Sequence, residues 1–222
     1  MRYTLHLRSI VAAVLLSCTS LMAFAAEPEA AAKAYVAGKD YEVLDQPVRT
    51  RDSKKIEVVE VFWYGCHHCY NFEPLVERWH KLQAEDVDFW QSPAIWNGVM
   101  QLHAQAFYTA SALGVSEKMQ MPLFTTLAVE GKRLGNQEAI ADLFAAYGVN
   151  KDEFNKVFNS FGVKSQVKQA DARARSYKIS GTPEVVVNGK YRVTTAAAGG
   201  QPEMLEVVDF LVAKERAAMA AQ

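Results

Sequence analysis

The sequence predicts an α/β protein in which a strand, a helix and a strand lead into a purely helical stretch, followed by a helix, a hairpin and a last helix. Three observations carry this prediction. Ile56 to Trp63 (IEVVEVFW) is a β-branched and aromatic run, bounded by the charged stretch Arg51 to Lys55 before it and by Tyr64-Gly65 after it. From about Asn97 to Gly162 no strand-like run occurs and the punctuation is that of short helices. Val185-Val186-Val187 and Tyr191-Arg192-Val193 are separated by Asn188-Gly189, a strong hairpin signal because both central residues of such a turn need positive φ.

The elements follow in order. Residues 1–25 read as a cleaved signal peptide: Arg2 and Arg8 flank its start, an apolar run extends from Ser9 to Leu16 and again from Leu21 to Ala26, and Ala23-Phe24-Ala25 offers a small-x-small cleavage site. Ser17, Cys18, Thr19 and Ser20 interrupt the run, which argues against a permanent transmembrane helix. Leu15-Leu16-Ser17-Cys18 resembles a lipobox, so a lipid anchor through Cys18 is the alternative end of the same leader. Beyond the first strand the chain turns at Gly65 and starts a helix at Cys66, with Phe72, Leu75, Val76 and Trp79 on one apolar face and Pro74 as a kink. Val87 to Gln91 is a second strand, ended by Pro93.

Within the helical stretch Gly114, Gly148 and Gly162 occupy C-terminal cap positions, and Ser116, Asn136 and Asn150 occupy N-cap positions. Ile140, Leu143, Phe144 and Tyr147 repeat at helical spacing, as do Phe154, Val157, Phe158 and Phe161. A polar helix spans about Lys164 to Tyr177, and Pro202 opens a last helix with Leu205, Val208, Leu211 and Val212 on one face. Trp90 and Trp96 read as core residues, and His80 and His103 as helix-surface or core-edge residues.

Composition narrows the function classes. Lys and Arg number 24 against 25 Asp and Glu, a formal net charge of -1, so bulk electrostatics favours neither nucleic acid nor an anionic membrane as partner. Once the leader is removed only Cys66 and Cys69 of the three cysteines remain. A bridge across two intervening residues closes almost no loop and so constrains the unfolded chain little. In an oxidising compartment an isolated C-x-x-C therefore points to redox chemistry rather than to stapling.

A thiol reacts as its thiolate, and a helix N-terminus favours negative charge through unpaired backbone N–H groups. Cys66 occupies that position and reads as the exposed nucleophile, with Cys69, more buried and one turn inward, as its resolving partner. Either His67 or His68 can supply a hydrogen bond or, when protonated, positive charge to the Cys66 sulfur. Glu60, six residues before Cys66, interrupts an apolar strand and is placed to relay the Cys69 proton from beneath the helix. Thr182-Pro183 precedes the Val185 strand. An X-Pro bond in the cis form exposes the preceding backbone to an extended peptide, although a cis bond is improbable from composition alone.

The segment Glu60-Val61-Phe62-Trp63-Tyr64-Gly65-Cys66-His67-His68-Cys69-Tyr70-Asn71-Phe72-Glu73-Pro74, together with Gly181-Thr182-Pro183, Val187-Asn188-Gly189-Lys190-Tyr191-Arg192 and Gly38-Lys39-Asp40-Tyr41, resembles the DsbA family. The resemblance implies a thioredoxin fold over 26–96 and 163–222 with an inserted all-helical domain at 97–162, and a periplasmic location. It implies donation of the Cys66-Cys69 disulfide to exported, folding proteins with free thiols, and reoxidation by a DsbB-like, quinone-linked membrane protein. By the same resemblance Cys66, Cys69, His68 and Glu60 are the catalytic set, Pro183 is a cis-proline, and His67, Thr182 and Pro183 face the substrate. The family usually carries Pro where this chain has His67 and Val where it has Thr182. Thr before the cis-proline is more typical of reductases and isomerases of the same fold.

No cofactor beyond the Cys66-Cys69 disulfide and no metal is expected. Two other readings are weighed. A reductase or isomerase is disfavoured because no separate dimerisation domain precedes Ile56; a monomer is expected. A metal module using Cys66, His67, His68 and Cys69 is disfavoured because four residues at one helix start cannot converge tetrahedrally on zinc.

Overall fold

A computed structural model describes residues 33–221, so the expected signal peptide and Cys18 lie outside the described residues. The chain runs β1 (Glu42–Val43), β2 (Ile56–Phe62), α1 (His67–Lys81), β3 (Val87–Pro93), α2 (Gly98–Ala112) and α3 (Ser116–Phe124). A π-helical turn (Thr125–Val129) then leads to α4 (Gln137–Ala146), α5 (Lys151–Phe158), α6 (Phe161–Ser176), β4 (Glu184–Val187), β5 (Tyr191–Thr194), α7 (Thr195–Ala198) and α8 (Gln201–Ala220).

The strands form one mixed sheet in the order β1-β5-β4-β2-β3. β2 is its centre, parallel to β3 and antiparallel to β4, and every one of its residues is buried. Alternation along a strand assigns its two faces. Ile56 and Val58, with Val185, Val187 and Val193, pack against Phe72 and Val76 of α1 and Val207, Val208 and Leu211 of α8. Val59, Val61 and Val186 pack on the other side with Leu44, Met100 and Tyr177. Glu60 has the parity of Ile56 and Val58 and so belongs to the α1 face. Phe62 continues that face into a cluster holding Cys69, Phe124, Ile140, Phe144 and Phe154, which joins the helical segment to the sheet.

Local signals explain most of the boundaries. Asn136 and Asn150 cap α4 and α5, Asn150 Oδ1 accepting from the N–H groups of both Asp152 and Glu153. Gly114 and Gly148 turn the chain at φ +68° and +81°, the left-handed conformation glycine permits without strain. Pro74 is exposed inside α1, which continues through it to Lys81.

Several expectations are corrected. Val115, not Ser116, precedes α3 as its N-cap. Gly162 lies inside α6 rather than capping α5, and Phe161 does not continue the α5 face. The reason is Ser160, whose Oγ accepts the Val163 N–H at 3.2 Å and starts a new helix, leaving Phe161 88% exposed. Trp96 is likewise not core but 52% exposed.

The Asn188-Gly189 turn has both residues at positive φ, 50° and 61°, and it docks on the segment after β1 through Val48 N–H to Gly189 O at 2.8 Å. A Cβ at Gly189 would lie 2.0 Å from the Val48 carbonyl oxygen. Gly189→Ala is therefore expected to destabilise the fold by about 3 kcal/mol or more. Gly98→Ala, where a Cβ meets nothing within 4 Å, is expected to be neutral or mildly stabilising, and urea unfolding of the two variants checks the contrast.

Candidate active site

The central strand β2 ends at Phe62 and the chain reverses through Trp63, Tyr64 and Gly65 before entering α1. Gly65 is required here by close approach, because a Cβ would stand 2.4 Å from the Trp63 indole. Cys66 is the N-cap of α1, in extended conformation, and its side chain caps nothing. Its sulfur is left to face the open N–H groups of the first turn.

Both cysteines are free thiols, Cys66 half-buried and Cys69 fully buried. The Cys66 thiol is lowered to about 5, chiefly because the Cys69 thiol donates to its sulfur. The Thr182 side chain and the backbone N–H groups of Cys69 and His68 add to the effect, outweighing the opposing desolvation. In its protonated form the Cys66 thiol is placed to donate to the Thr182 carbonyl oxygen, 3.3 Å away. Cys69 moves the other way: burial and its bond to Cys66 hold its proton on, and Glu60 adds to the effect whenever it is ionised. One thiol of the pair is thus an anion at neutral pH and the other is not.

Beneath the pair lies a buried polar network. Glu60, on β2, is completely buried, and burial together with the neighbouring Glu73 raises its carboxyl well above the usual range. Gln91 of β3, in register with Glu60, donates through Nε2 to Glu60 Oε2 and to Glu73 Oε2, each at 2.8 Å. Gln120 of α3 donates to Glu73 Oε1 and to Gln91 Oε1, each at 3.0 Å, and accepts from the Tyr64 hydroxyl at 2.8 Å. Every donor to these two carboxyls is neutral. Two buried carboxyls without a cation cannot both ionise, so the pair retains a proton. Glu60 Oε1 has no hydrogen-bond partner, which leaves one face of the acid open.

The sequence-derived residues converge unevenly. Thr182-Pro183 is a cis peptide, and Thr182 reaches Cys66 although 116 residues separate them. The imidazoles of His67 and His68 are exposed and neither makes a hydrogen bond among the described residues. His68 engages through its backbone: the N–H serves the Cys66 sulfur and the carbonyl accepts from Gln201 at the start of α8, at 2.6 Å. Among the described residues no group of three or more His, Cys, Asp or Glu is arranged to hold a metal ion.

Glu73, Gln91, Gln120 and Tyr64 were not found from sequence. Glu73 had a signal, a carboxylate four residues after Cys69 on the buried stripe of α1 with Phe72 and Val76. Gln91 and Gln120 had none. His103 is also more than a core-edge residue. It is 2% exposed, its Nδ1 accepts the Trp63 indole N–H at 3.0 Å, and its Nε2 therefore donates to the Arg133 carbonyl at 3.1 Å.

Comparison with known proteins agrees with this chemistry. The DSBA-like thioredoxin domain matches residues 83–207, a span beginning beyond the cysteine pair. The thiol:disulfide interchange protein DsbA of Pseudomonas aeruginosa is 41% identical over 212 residues, covering 96% of this chain and 99% of the relative. That of Azotobacter vinelandii is 41% identical over 213 residues, covering 96% and 100%. The crystal structure of Pseudomonas aeruginosa DsbA superposes with a TM-score of 0.81 at 42% identity, covering 84% of this chain and 97% of that one. For the oxidoreductase DsbA of Xylella fastidiosa the TM-score is 0.76 at 34% identity, with 82% and 98% covered. With its dithiol at the head of a helix, on a thioredoxin fold carrying inserted helices, this chain belongs to the DsbA family of thiol:disulfide oxidoreductases.

Proposed function

We propose that this protein is a disulfide donor for exported, folding proteins, and that the direction of transfer is set by the stability of the Cys66 thiolate. A client thiolate attacks Cys66 Sγ of the oxidised pair, forming a mixed disulfide as the Cys66–Cys69 bond breaks and Cys69 leaves. A second client thiolate then attacks the client sulfur and releases Cys66 as the anion. Two client thiols become one disulfide, and the pair takes up the two electrons. The redox couple is Cys66 and Cys69 themselves, with no further cofactor.

The lowered Cys66 thiol supports this reading, since whatever stabilises the reduced pair makes its disulfide a stronger oxidant. The folded thiolate is favoured above its titration point, so the stabilisation is full above the ordinary cysteine value and disappears as pH falls through about 5. Allowing for solvent screening of a half-exposed sulfur, it amounts to roughly 1–2 kcal/mol at pH 7, or about 20–40 mV. Glu60 supplies the proton that Cys69 takes on leaving and accepts it in the reverse step. Its burial keeps it neutral where a solvent-exposed glutamate is ionised. His68 supports the Cys66 sulfur through its backbone N–H, while His67, Thr182 and Pro183 form the surface met by the client. The site of action is the periplasm, reached through a cleaved leader. A DsbB-like, quinone-linked membrane protein reoxidises the pair, and the protein acts as a monomer.

The Thr182 carbonyl supports a second reading, a reductase or isomerase, because it accepts from the Cys66 thiol and so favours the protonated form. Equilibration with glutathione separates the two. A donor is expected to reach half reduction at a potential well above about -220 mV, in the range of strong dithiol oxidants, and a more negative value overturns the oxidase direction. Absorbance at 240 nm of the reduced protein is expected to titrate near pH 5, and Cys66→Ser is expected to remove that transition. Glu60→Gln is expected to slow transfer at least ~10-fold without moving the Cys66 transition. Because folded Glu60 holds its proton longer than the unfolded chain does, the parent loses stability as pH rises above the ordinary glutamate value. Glu60→Gln is thus expected to melt higher than the parent at pH 8, the gap closing toward pH 4.

A further inference from the structure

We propose that Glu184 is a positioning residue for the active site, its buried carboxylate holding the turn 180–183 in the shape that presents Thr182 to the Cys66 sulfur. The proposal rests on the reading of Cys66 as the exchanging thiol. Glu184 opens β4 immediately after Pro183 and is 3% exposed. One oxygen, Oε1, accepts from Gly181 N–H at 2.8 Å, Ser180 N–H at 3.3 Å and Ser180 Oγ at 3.0 Å. A single acceptor thus gathers the two residues that lead directly into Thr182, closing the turn from its interior side. On that turn Thr182 meets Cys66, its carbonyl 3.3 Å from Sγ and its side chain stabilising the thiolate.

The carboxylate is itself held from behind. Glu184 and Arg192 share the sheet face opposite α1, since Val186 pairs with Arg192 and Glu184 lies two residues away on the same strand. Arg192 Nη1 stands 3.7 Å from Glu184 Oε2, and Arg192 Nη2 binds Glu42 Oε2 of β1 at 2.6 Å. The guanidinium compensates a charge that would otherwise be costly to bury, and ties the turn to the far edge of the sheet. Glu184 Oε2 and Arg192 Nε have no hydrogen-bond partner. Packing alone is a poor account of such a pair, because an apolar residue would fill the position without burying unpaired atoms. Glu184 touches neither the sulfur nor a client and acts only through the turn.

The readout is the Cys66 transition at 240 nm in the reduced full-length protein, with thermal melting recorded alongside. Glu184→Ala is expected to raise that transition by about one pH unit, the loss of one charged-sulfur contact. Glu184→Gln keeps a carbonyl acceptor for Ser180 and Gly181 and is expected to restore the parent value. Ser180→Ala, at an exposed position where folding is not at risk, is expected to shift the transition the same way by less. In a Thr182→Val background Glu184→Ala is expected to add no further shift, since both act through one contact. A Glu184→Ala protein that melts lower but titrates with the parent reveals a purely structural residue and overturns the proposal. So does a parent-like Ser180→Ala should Glu184→Ala not fold, and so does a Glu184→Gln shift as large as that of alanine. A parent that itself titrates like free cysteine removes the reading of Cys66, and this inference with it.

Discussion

The site depends on an asymmetry between two sulfurs one helical turn apart. Cys66 stands where the first turn of α1 presents unpaired N–H groups, and Cys69 stands where burial leaves a sulfur anion unsupported. The Cys69 thiol resolves the conflict by donating to its partner, so one hydrogen bond lowers Cys66 and raises Cys69 at once. The exchange chemistry follows: the outer sulfur can be attacked and can leave as an anion, whereas the inner one needs a proton whenever its bond breaks.

In the proposed transfer, the acid beneath the helix meets that need. Strand alternation puts Glu60 on the α1 face of the central strand, where water does not reach it and where Glu73 descends from α1 to meet it. Gln91 bridges the two carboxyls with both hydrogens of a single amide nitrogen, which orients them without neutralising either. A cation in the place of Gln91 would let both carboxyls ionise and leave no proton to deliver. A neutral amide leaves the pair holding its proton.

Sequence carried the parts of this that are local and periodic. Cys66 and Cys69 are legible from spacing, β2 from its β-branched run, and the hairpin from Asn188-Gly189, because each is dictated by residues within a few positions of one another. Glu60 was legible as a charge inside an apolar strand. Gln91 and Gln120 were not, because an amide at a strand end or on a short helix has many unremarkable uses, and only the tertiary register reveals that these two face Glu73. Phe161 shows the converse failure. Its spacing from Phe154, Val157 and Phe158 is helical, but Ser160 ends that helix first, so periodicity read across a cap assigned an exposed aromatic to the core.

The helical segment also takes a direct part in the chemistry. Gln120 on α3 closes the carboxyl network by binding Glu73, Gln91 and Tyr64 together, and His103 on α2 accepts from Trp63, whose carbonyl in turn accepts the Cys66 N–H. Both contacts reach the turn that precedes Cys66, one from below and one from the side. A bare strand, turn and helix would leave Glu73 with an unfilled acceptor and Trp63 free to rotate away from Gly65. The inserted helices therefore fix the proton inventory and the backbone geometry at the cysteines, in addition to whatever surface they present to a client. The site is shared between the sheet and the helical segment, since Cys69 packs with Phe124, Ile140 and Phe144 while Glu73 takes its Oε1 hydrogen bond from Gln120.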